Sequence, residues 1–188
     1  MSRTPLFDNL KKYNAMTKGY FQIPGHRFER GAAEDFIDFC GSGMFKIDVT
    51  ETPLTDDLHN ASGVIKDSQA LAAGAFGADT SFYLVNGTSC GNQSMIMAAA
   101  REGEKIIIPR NAHKSVMSGL VISGAVPVYA GVDDIGSTGI QGGLSVHLVR
   151  RLLENNPDCK AVFAVSPTYY GICSDIGSLA AASHEAGI

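Results

Sequence analysis

Apolar and polar positions change their spacing several times along the chain. Between residues 64 and 76 apolar residues recur at helical spacing, which predicts a helix that ends at Gly77. Beyond this helix, short apolar runs typical of strands alternate with longer segments of helical periodicity. The predicted strands are 81–85, 104–109, 125–130 and 160–166, and the helices that follow them are 90–102, 113–124, 145–156 and 175–187.

The predicted strands lack polar alternation, which is typical of parallel strands covered by helices on both faces. The sequence therefore predicts an α/β fold with a doubly wound, mostly parallel sheet. Right-handed crossovers in such a sheet place a ligand site at the carboxyl ends of the strands. We expect the sheet to be incomplete and the chain to be a fragment, because Gly187 suits a helix cap and Ile188 would open a further strand.

The N-terminal third has short, turn-rich pieces without sustained periodicity. We interpret residues 1–60 as an irregular N-terminal arm with one short helix, around residues 5–13. Residues 61–188 are then the first half of a larger domain. Long irregular segments in compact proteins are more often functional than idle.

Bulk composition excludes several classes of protein. The 188 residues are 45% hydrophobic with a formal net charge of -4, which suits a globular chain and lacks the basic field that nucleic acid requires. The sequence has no apolar stretch of the roughly 18 residues that a membrane span needs, and no signal-peptide core, so a cytoplasmic protein is predicted. The four cysteines form no C-x-x-C pair, and Asp56, Asp57 and His59 suit helix capping better than a metal site.

Residues 86–92, NGTSCGN, form a polar loop between a predicted strand and a predicted helix. Gly87 permits a tight turn, and Thr88 and Ser89 bring hydroxyl and N–H groups to the start of the helix. A helix N-terminus carries unpaired donors and partial positive charge, so it can hold a phosphate. The alternative is an ordinary N-cap supplied by Thr or Ser. The loop matches neither G-x-x-x-x-G-K-[ST] nor G-x-G-x-x-G, which disfavours an ATPase or a dinucleotide-binding oxidoreductase.

A second polar loop, residues 109–116, follows the next predicted strand and is expected at the same edge of the sheet. It contains His113, flanked by basic and polar residues. A histidine there can stack on a planar ligand or act as an acid or base. The alternative is a structural hydrogen-bonding role.

Further polar positions follow the last predicted strand or lie in the arm. Thr168 and Tyr169 offer hydroxyls to a ligand, whereas Pro167 and Asp175 are explained by a strand end and a helix cap. His26 lies beside a turn in the arm.

Six segments together carry a resemblance to a known family. They are TPLFDNLKKY, PGHR, DVTETPLTDDLHNASGVI, AFGADTSFYLVNGTSCGN, PRNAHKSVMSGLVISGAVPVY and SPTYYGICSD. In this order and spacing they resemble the ornithine/lysine/arginine decarboxylase family over almost the whole chain. These enzymes depend on pyridoxal phosphate and have the aspartate-aminotransferase-like fold.

The resemblance implies pyridoxal 5'-phosphate as the cofactor. Matching positions place Gly87, Thr88 and Ser89 at its phosphate, His113 on its pyridine ring and Thr168 beside it. Tyr169 and His26 are implied as lining of the substrate site or of a subunit interface. Full-length members are expected to form homodimers or larger oligomers.

The family's chemistry needs two further residues. A carboxylate must keep the pyridine nitrogen protonated, and a lysine must form the Schiff base. The resemblance places both beyond Ile188, so no catalytic residue is expected within this chain. His113 and Lys114 together resemble the His-Lys pair that holds the family's Schiff-base lysine. Because Lys114 lies in the R-N-x-H-K-S block, we expect it to be a cation at the rim of the site near the helix start, or a contact across a subunit interface.

Two functions remain open. One is the N-terminal portion of a decarboxylase of arginine, lysine or ornithine, which releases carbon dioxide and a polyamine-type amine. The other is a catalytically inactive truncated relative, either a remnant or an assembly partner of a full-length decarboxylase. In both cases the last predicted strand would be an open apolar edge, which favours aggregation or oligomerisation.

Overall fold

The computed structural model describes residues 3–16, 19, 21, 23–132 and 134–188. It divides into two compact units, Met1–Tyr83 and Leu84–Ile188. The first unit thus extends beyond residue 60 and includes the helix that follows it. The predicted boundary at residue 60 separates functional parts and not compact units, so it stays a prediction.

The first unit is helical. Its elements are α1 (Pro5–Ala15), α2 (Glu34–Cys40), α3 (Ser42–Ile47), a 3-10 helix (Leu58–Asn60) and α4 (Val64–Phe76). The prediction of a single helix in the arm is wrong, because α2 and α3 also form there. They have only seven and six residues and are separated by Gly41 at a φ of 79°, so neither is long enough to repeat an apolar period. The predicted end of α4 at Gly77, in the left-handed conformation, is confirmed.

The second unit alternates helices and strands. Its elements are α5 (Gly87–Ala99), β1 (Lys105–Pro109), α6 (Lys114–Ser123), β2 (Val126–Ala130), α7 (Val146–Asn155), β3 (Cys159–Val162) and α8 (Ile176–Glu185). The three strands form a parallel sheet in the order β2-β1-β3. The predicted α/β class with a parallel sheet is confirmed.

The central strand β1 separates two apolar clusters. Ile106 and Ile108 face α5 and α6, whereas Ile107 faces α7 and α8, and all three are at most 1% exposed. Burying a side chain of this size stabilises the fold by about 1.5–3 kcal/mol. One cluster consists of Ile96, Ala100, Ile106, Ile108, Val116, Leu120 and Ala125, and the other of Ile107, Ala130, Leu144, Val149, Leu153, Cys159 and Leu179. Helices therefore cover both faces of the sheet.

The predicted strand at residues 81–85 is wrong. These residues have no regular secondary structure and belong to no ladder of the described sheet, whose strands are β1, β2 and β3. Phe82 and Val85 are exposed. Apolar composition favours a strand, but only pairing with a neighbour makes one.

The last helix is capped as the sequence predicts. The backbone N–H of Ser178 donates to the Asp175 carboxylate at 3.0 Å. This bond and one from the Ser178 hydroxyl hold the pKa of Asp175 below its ordinary value. At the other end, the N–H groups of Gly187 and Ile188 donate to the carbonyls of His184 and Ser183, which is a Schellman cap.

Candidate functional site

A cavity lies at the carboxyl edge of the sheet in the second unit. Because β1 lies between β2 and β3, the chain builds one side of the sheet first and then returns to the other. The crevice at such a reversal is the usual ligand site of open α/β sheets. The cavity has a volume of about 780 Å³, within the range typical of small-molecule sites. Its wall includes residues 162–167 at the end of β3 and beyond, Asn111 and His113 after β1, and Thr88 and Asn92 on α5.

The start of α5 forms one side of this cavity. Gly87 opens the helix at a φ of 68°, in the left-handed region that favours glycine. Asn86 stands at the N-cap position, and within the described residues no side chain makes a capping bond there. Thr88 and Ser89 are exposed in the first turn, and Thr88 borders the cavity. The alternative of an ordinary Thr or Ser N-cap is therefore not what the structure shows, and the first turn can receive an anion.

His113 has a structural role and also borders the cavity. It is the N-cap of α6, where its Nδ1 accepts from the backbone N–H of Ser115 at 3.2 Å. The same Nδ1 lies 2.8 Å from the Ser115 hydroxyl. Because His113 also borders the cavity, the structural and the ligand-contacting interpretations do not exclude each other.

A hydrogen bond joins α5 to α6 behind this histidine. The amide Nδ2 of Asn92 donates to Ser115 Oγ at 2.8 Å, and Ser115 is only 3% exposed. Both residues lie within the two polar loops predicted from the sequence, where neither was given a role of its own. The sequence offered one signal that the two residues lie on the packed faces of their helices. Asn92 lies four residues before Ile96 and Ser115 four before Gly119, so each pair shares a helix face.

Asn111 is a further wall residue that sequence reasoning left without a role. Its Nδ2 donates to the Gly142 carbonyl at 3.4 Å. Its Oδ1 is buried and has no hydrogen-bond partner among the described residues. A buried acceptor without a partner is rare in proteins, and a donor from a ligand or from water in the cavity would satisfy it.

Thr168 and Tyr169 differ in position although they are adjacent in sequence. Thr168 is 6% exposed, its hydroxyl accepts from the Ile172 N–H at 3.2 Å, and it is not among the described wall residues. Tyr169 is 97% exposed, borders the cavity and packs edge-on against Tyr170 at 5.6 Å. Thr168 thus closes the loop after β3, and Tyr169 is free to meet a ligand.

His26 lies in the first unit. Its Nε2 is 3.1 Å from Asp48 Oδ2, and its ring packs edge-on against Phe45 at 5.4 Å between centroids. Its Nδ1 is buried without a hydrogen-bond partner in the part of the chain that the structure describes. A role for His26 in a substrate site stays a prediction.

The described wall of the cavity contains no Lys, Asp or Glu. Lys114 is exposed at the first position of α6 and is not a wall residue. Within the described ranges, no three or more His, Cys, Asp or Glu side chains form a group that could hold a metal ion. In the same ranges, every helix is too short or too polar to cross a membrane.

A parallel sheet with helices on both faces and a cavity at its switch point defines a doubly wound α/β protein. The sequence pattern of the Orn/Lys/Arg decarboxylase major domain matches residues 4–188, and the chain belongs to that family. Its expected membership is thereby confirmed.

Relatives of known sequence and structure agree with this assignment. The chain is 41% identical to an arginine decarboxylase of Bacillus subtilis over 182 residues, which are 97% of this chain and 37% of that protein. The lysine decarboxylase LdcF of Francisella novicida matches 95% of this chain and 27% of its own at a TM-score of 0.78 and 27% identity. The constitutive lysine decarboxylase of Escherichia coli matches 89% of this chain and 25% of its own at a TM-score of 0.71 and 28% identity. The chain thus spans little more than a third of the Bacillus relative.

Proposed function

We propose that this chain is the N-terminal portion of a pyridoxal-phosphate-dependent decarboxylase whose substrate is arginine, lysine or ornithine. The observation that carries the proposal is that Thr88, in the uncapped first turn of α5, and His113 border one cavity. The proposed enzyme is cytoplasmic and works as a homodimer or larger oligomer. When bound, pyridoxal phosphate would supply an electron sink for the bond that breaks as carbon dioxide leaves.

The first turn of α5 suits the phosphate of this cofactor. Thr88 and Ser89 offer hydroxyls, and the backbone N–H groups of the turn meet no capping side chain among the described residues. A helix start of this kind stabilises an anion through N–H donors and the helix dipole. We assign Gly87, Thr88 and Ser89 to the phosphate.

Other residues of the same wall suit the ring of the cofactor. The end of β3 and the segment after it contribute Val162, Phe163, Ala164 and Val165, which are apolar residues. The imidazole of His113 offers a flat face of similar size to a pyridine ring. Apolar contacts and stacking between flat rings together favour a planar aromatic ligand and exclude water from it.

The chain alone is not expected to complete the reaction. The lysine and the carboxylate that the family needs are not among the described wall residues, which include no Lys, Asp or Glu. We therefore expect non-covalent binding of the cofactor and no release of carbon dioxide by the 188-residue chain. Thr168, which supports the loop, is expected to affect the cofactor only through that loop.

A titration with pyridoxal phosphate, followed by absorbance, tests this proposal. Inorganic phosphate should compete, and borohydride should label no single lysine stoichiometrically. Thr88→Val with Ser89→Ala should weaken binding roughly ten- to a hundredfold, because hydrogen bonds to a charged group are lost. Ser94→Ala, exposed on the same helix, is the matched control.

Two outcomes would contradict the proposal. If binding were absent or indifferent to Thr88 and Ser89, the phosphate site would be wrong. Stoichiometric labelling of one lysine would show that the chain carries its own covalent residue.

A second role is a non-catalytic partner of a full-length decarboxylase. The observation that favours it is the same wall without Lys, Asp or Glu among its described residues. Mixing the chain with a full-length family member should then give co-elution and a changed rate of carbon dioxide release. Unchanged elution and an unchanged rate would dismiss this role.

A further inference from the structure

We propose that Asn92 and Ser115 are positioning residues that hold His113 in one ring orientation and one tautomer, with its proton on Nε2. Hydrogen bonds within the chain determine this tautomer, so it does not depend on any ligand. Its consequence for the cofactor rests on the proposed function.

The direction of one hydrogen bond fixes the tautomer. A backbone N–H can only donate, so Nδ1 of His113 must accept from Ser115 N at 3.2 Å. An imidazole nitrogen that accepts carries no hydrogen. The proton of the neutral ring therefore lies on Nε2.

The Ser115 hydroxyl gives the same nitrogen a second donor. Because Ser115 Oγ already accepts from Asn92 Nδ2 at 2.8 Å, its own hydrogen is free to point at His113 Nδ1, also 2.8 Å away. Ser115 is 3% exposed, so bulk water does not compete for these bonds. Asn92 thus donates to Ser115, and Ser115 donates to His113. We call this chain of hydrogen bonds between α5 and α6 the relay.

The distance between α5 and α6 keeps the relay intact. One helical turn beyond Ser115, a Cβ on Gly119 would lie 3.0 Å from the Ile96 Cβ and 3.3 Å from the Gln93 Cα. A larger residue there would separate the helices, and only Gly permits the close approach. Asn92 lies one turn before Ile96, so the same approach brings its amide within reach of Ser115.

The ring consequently meets the cavity in one state. Both protein contacts described for the His113 ring nitrogens use Nδ1. The Nε2–H remains as a donor for a ligand acceptor, and the ring cannot turn without losing its bonds to α6. A ring fixed in advance loses less conformational entropy when a planar cofactor stacks on it.

Nitrogen-15 NMR of histidine-labelled chain, in mildly alkaline buffer without ligand, tests the relay. The His113→Gln spectrum assigns the His113 signals. We expect a protonated Nε2 and a hydrogen-bonded, unprotonated Nδ1 in the wild type. Ser115→Ala should move the Nδ1 signal towards that of free imidazole, and Ser115→Thr should restore it. Ser118→Ala, exposed one turn further along α6, should leave it unchanged.

Cofactor binding gives a second readout. Ser115→Ala should weaken pyridoxal phosphate binding roughly two- to tenfold, the effect of losing one neutral hydrogen bond, and Ser115→Thr should recover it. Should Ser115→Ala fail to fold, Asn92→Ala reports the same relay, because it removes the amide that orients the hydroxyl.

A protonated Nδ1 in the wild type, or identical Nδ1 signals in the wild type and Ser115→Ala, would overturn the proposal. If the NMR result holds and pyridoxal phosphate does not bind, the proposed function fails and the relay stands.

Discussion

Among individual residues, Asp56 has the widest influence on the backbone before α4, through its carboxylate. Asp56 has a φ of 67° and accepts hydrogen bonds from four backbone N–H groups. The donors are Asp57, Ser62, Gly63 and Ile65, at distances of 2.7 to 3.2 Å. A single side chain thus ties together the turn, the residues before α4 and the first turn of the helix.

These contacts act on the ionisation of Asp56. Partial desolvation raises the pKa of its carboxyl group, but the backbone donors, with Ser62 first and then Asp57, Gly63 and Ile65, outweigh it and hold the pKa well below its ordinary value. A folded-state pKa below the unfolded one, about 3.9 for Asp, stabilises the fold above that pH. The contribution declines as the pH falls below about 4, where the unfolded state takes up a proton first.

Asp56→Asn should therefore destabilise the first unit at neutral pH, because an amide NH2 would replace an acceptor among backbone donors. The wild type should lose stability as the pH falls below about 4, and the difference from Asp56→Asn should shrink. Thermal unfolding of both proteins from neutral to acidic pH measures this.

Asp38→Asn is the matched control, because Asp38 is exposed on α2 and no hydrogen bond to its carboxylate is described. Equal loss of stability in both variants, or a constant difference across the pH range, would show that the ionised Asp56 carboxylate does not stabilise this segment through its backbone hydrogen bonds.

Residue-level prediction succeeded where the signal is local. Asp175 as a cap and Gly77 as a helix end follow from neighbours in sequence, and the structure shows both. The contact between Asn92 and Ser115 crosses 23 positions and depends on how closely two helices approach, which one sequence does not reveal. Thr168 shows the same limit, because the sequence does not reveal that its hydroxyl accepts from Ile172 N within its own loop. Its expected place beside the cofactor stays a prediction.

For whole elements, hydrophobic spacing located α4 to α8 because each buries one face. Helices α5 to α8 contribute to the two apolar clusters, and α4 buries Ile65 and Ala73 in the first unit. The same spacing located the start of α5 three residues late, at Cys90 and not at Gly87, since Gly, Thr and Ser are weak helix formers. Residues 81–85 have strand composition, but pairing is a tertiary property. For these reasons element type was more predictable than element boundaries.

Gly119→Ala should destabilise the second unit by about 1–2 kcal/mol. The new methyl group would press on Ile96 Cβ and Gln93 Cα, which cannot move without displacing α5, and this strain exceeds the gain of replacing Gly in a helix. Urea unfolding measures the change, and the Nδ1 signal of His113 should shift as the helices separate.

Gly177→Ala in α8 is the control for this substitution. Its Cβ would have Asp175 Oδ1 at 3.7 Å as its nearest neighbour, an ordinary contact, so no loss of stability is expected. An equal loss in both variants would show that the packing of α5 on α6 is not the cause of the effect.

At the scale of the whole molecule, the sheet has two different edges. On β2, the Val126 N–H points towards β1 and donates to the Glu104 carbonyl. Backbone N–H groups alternate in direction along a strand, so the next one would point outward. Pro127 occupies that position and has no N–H. On β3, Phe163 N–H donates to Ile107 O, so the N–H of Val162 points away from β1. No described strand pairs with that side of β3. The expected open edge is thus at β3, where a second chain can add a strand.

We expect the 188-residue chain to self-associate increasingly with concentration through this edge. Val162→Pro should lower the associated fraction severalfold, because it removes the outward N–H and leaves the ladder to β1. Val162→Ala is the matched control: it loses similar apolar packing but keeps the N–H, so it should associate like the wild type. Sedimentation velocity over a concentration series measures the fractions, and circular dichroism checks that both variants fold. A wild-type chain that stays a monomer throughout would show that the β3 edge is already protected, and equal association in all three proteins would place the contact on another surface.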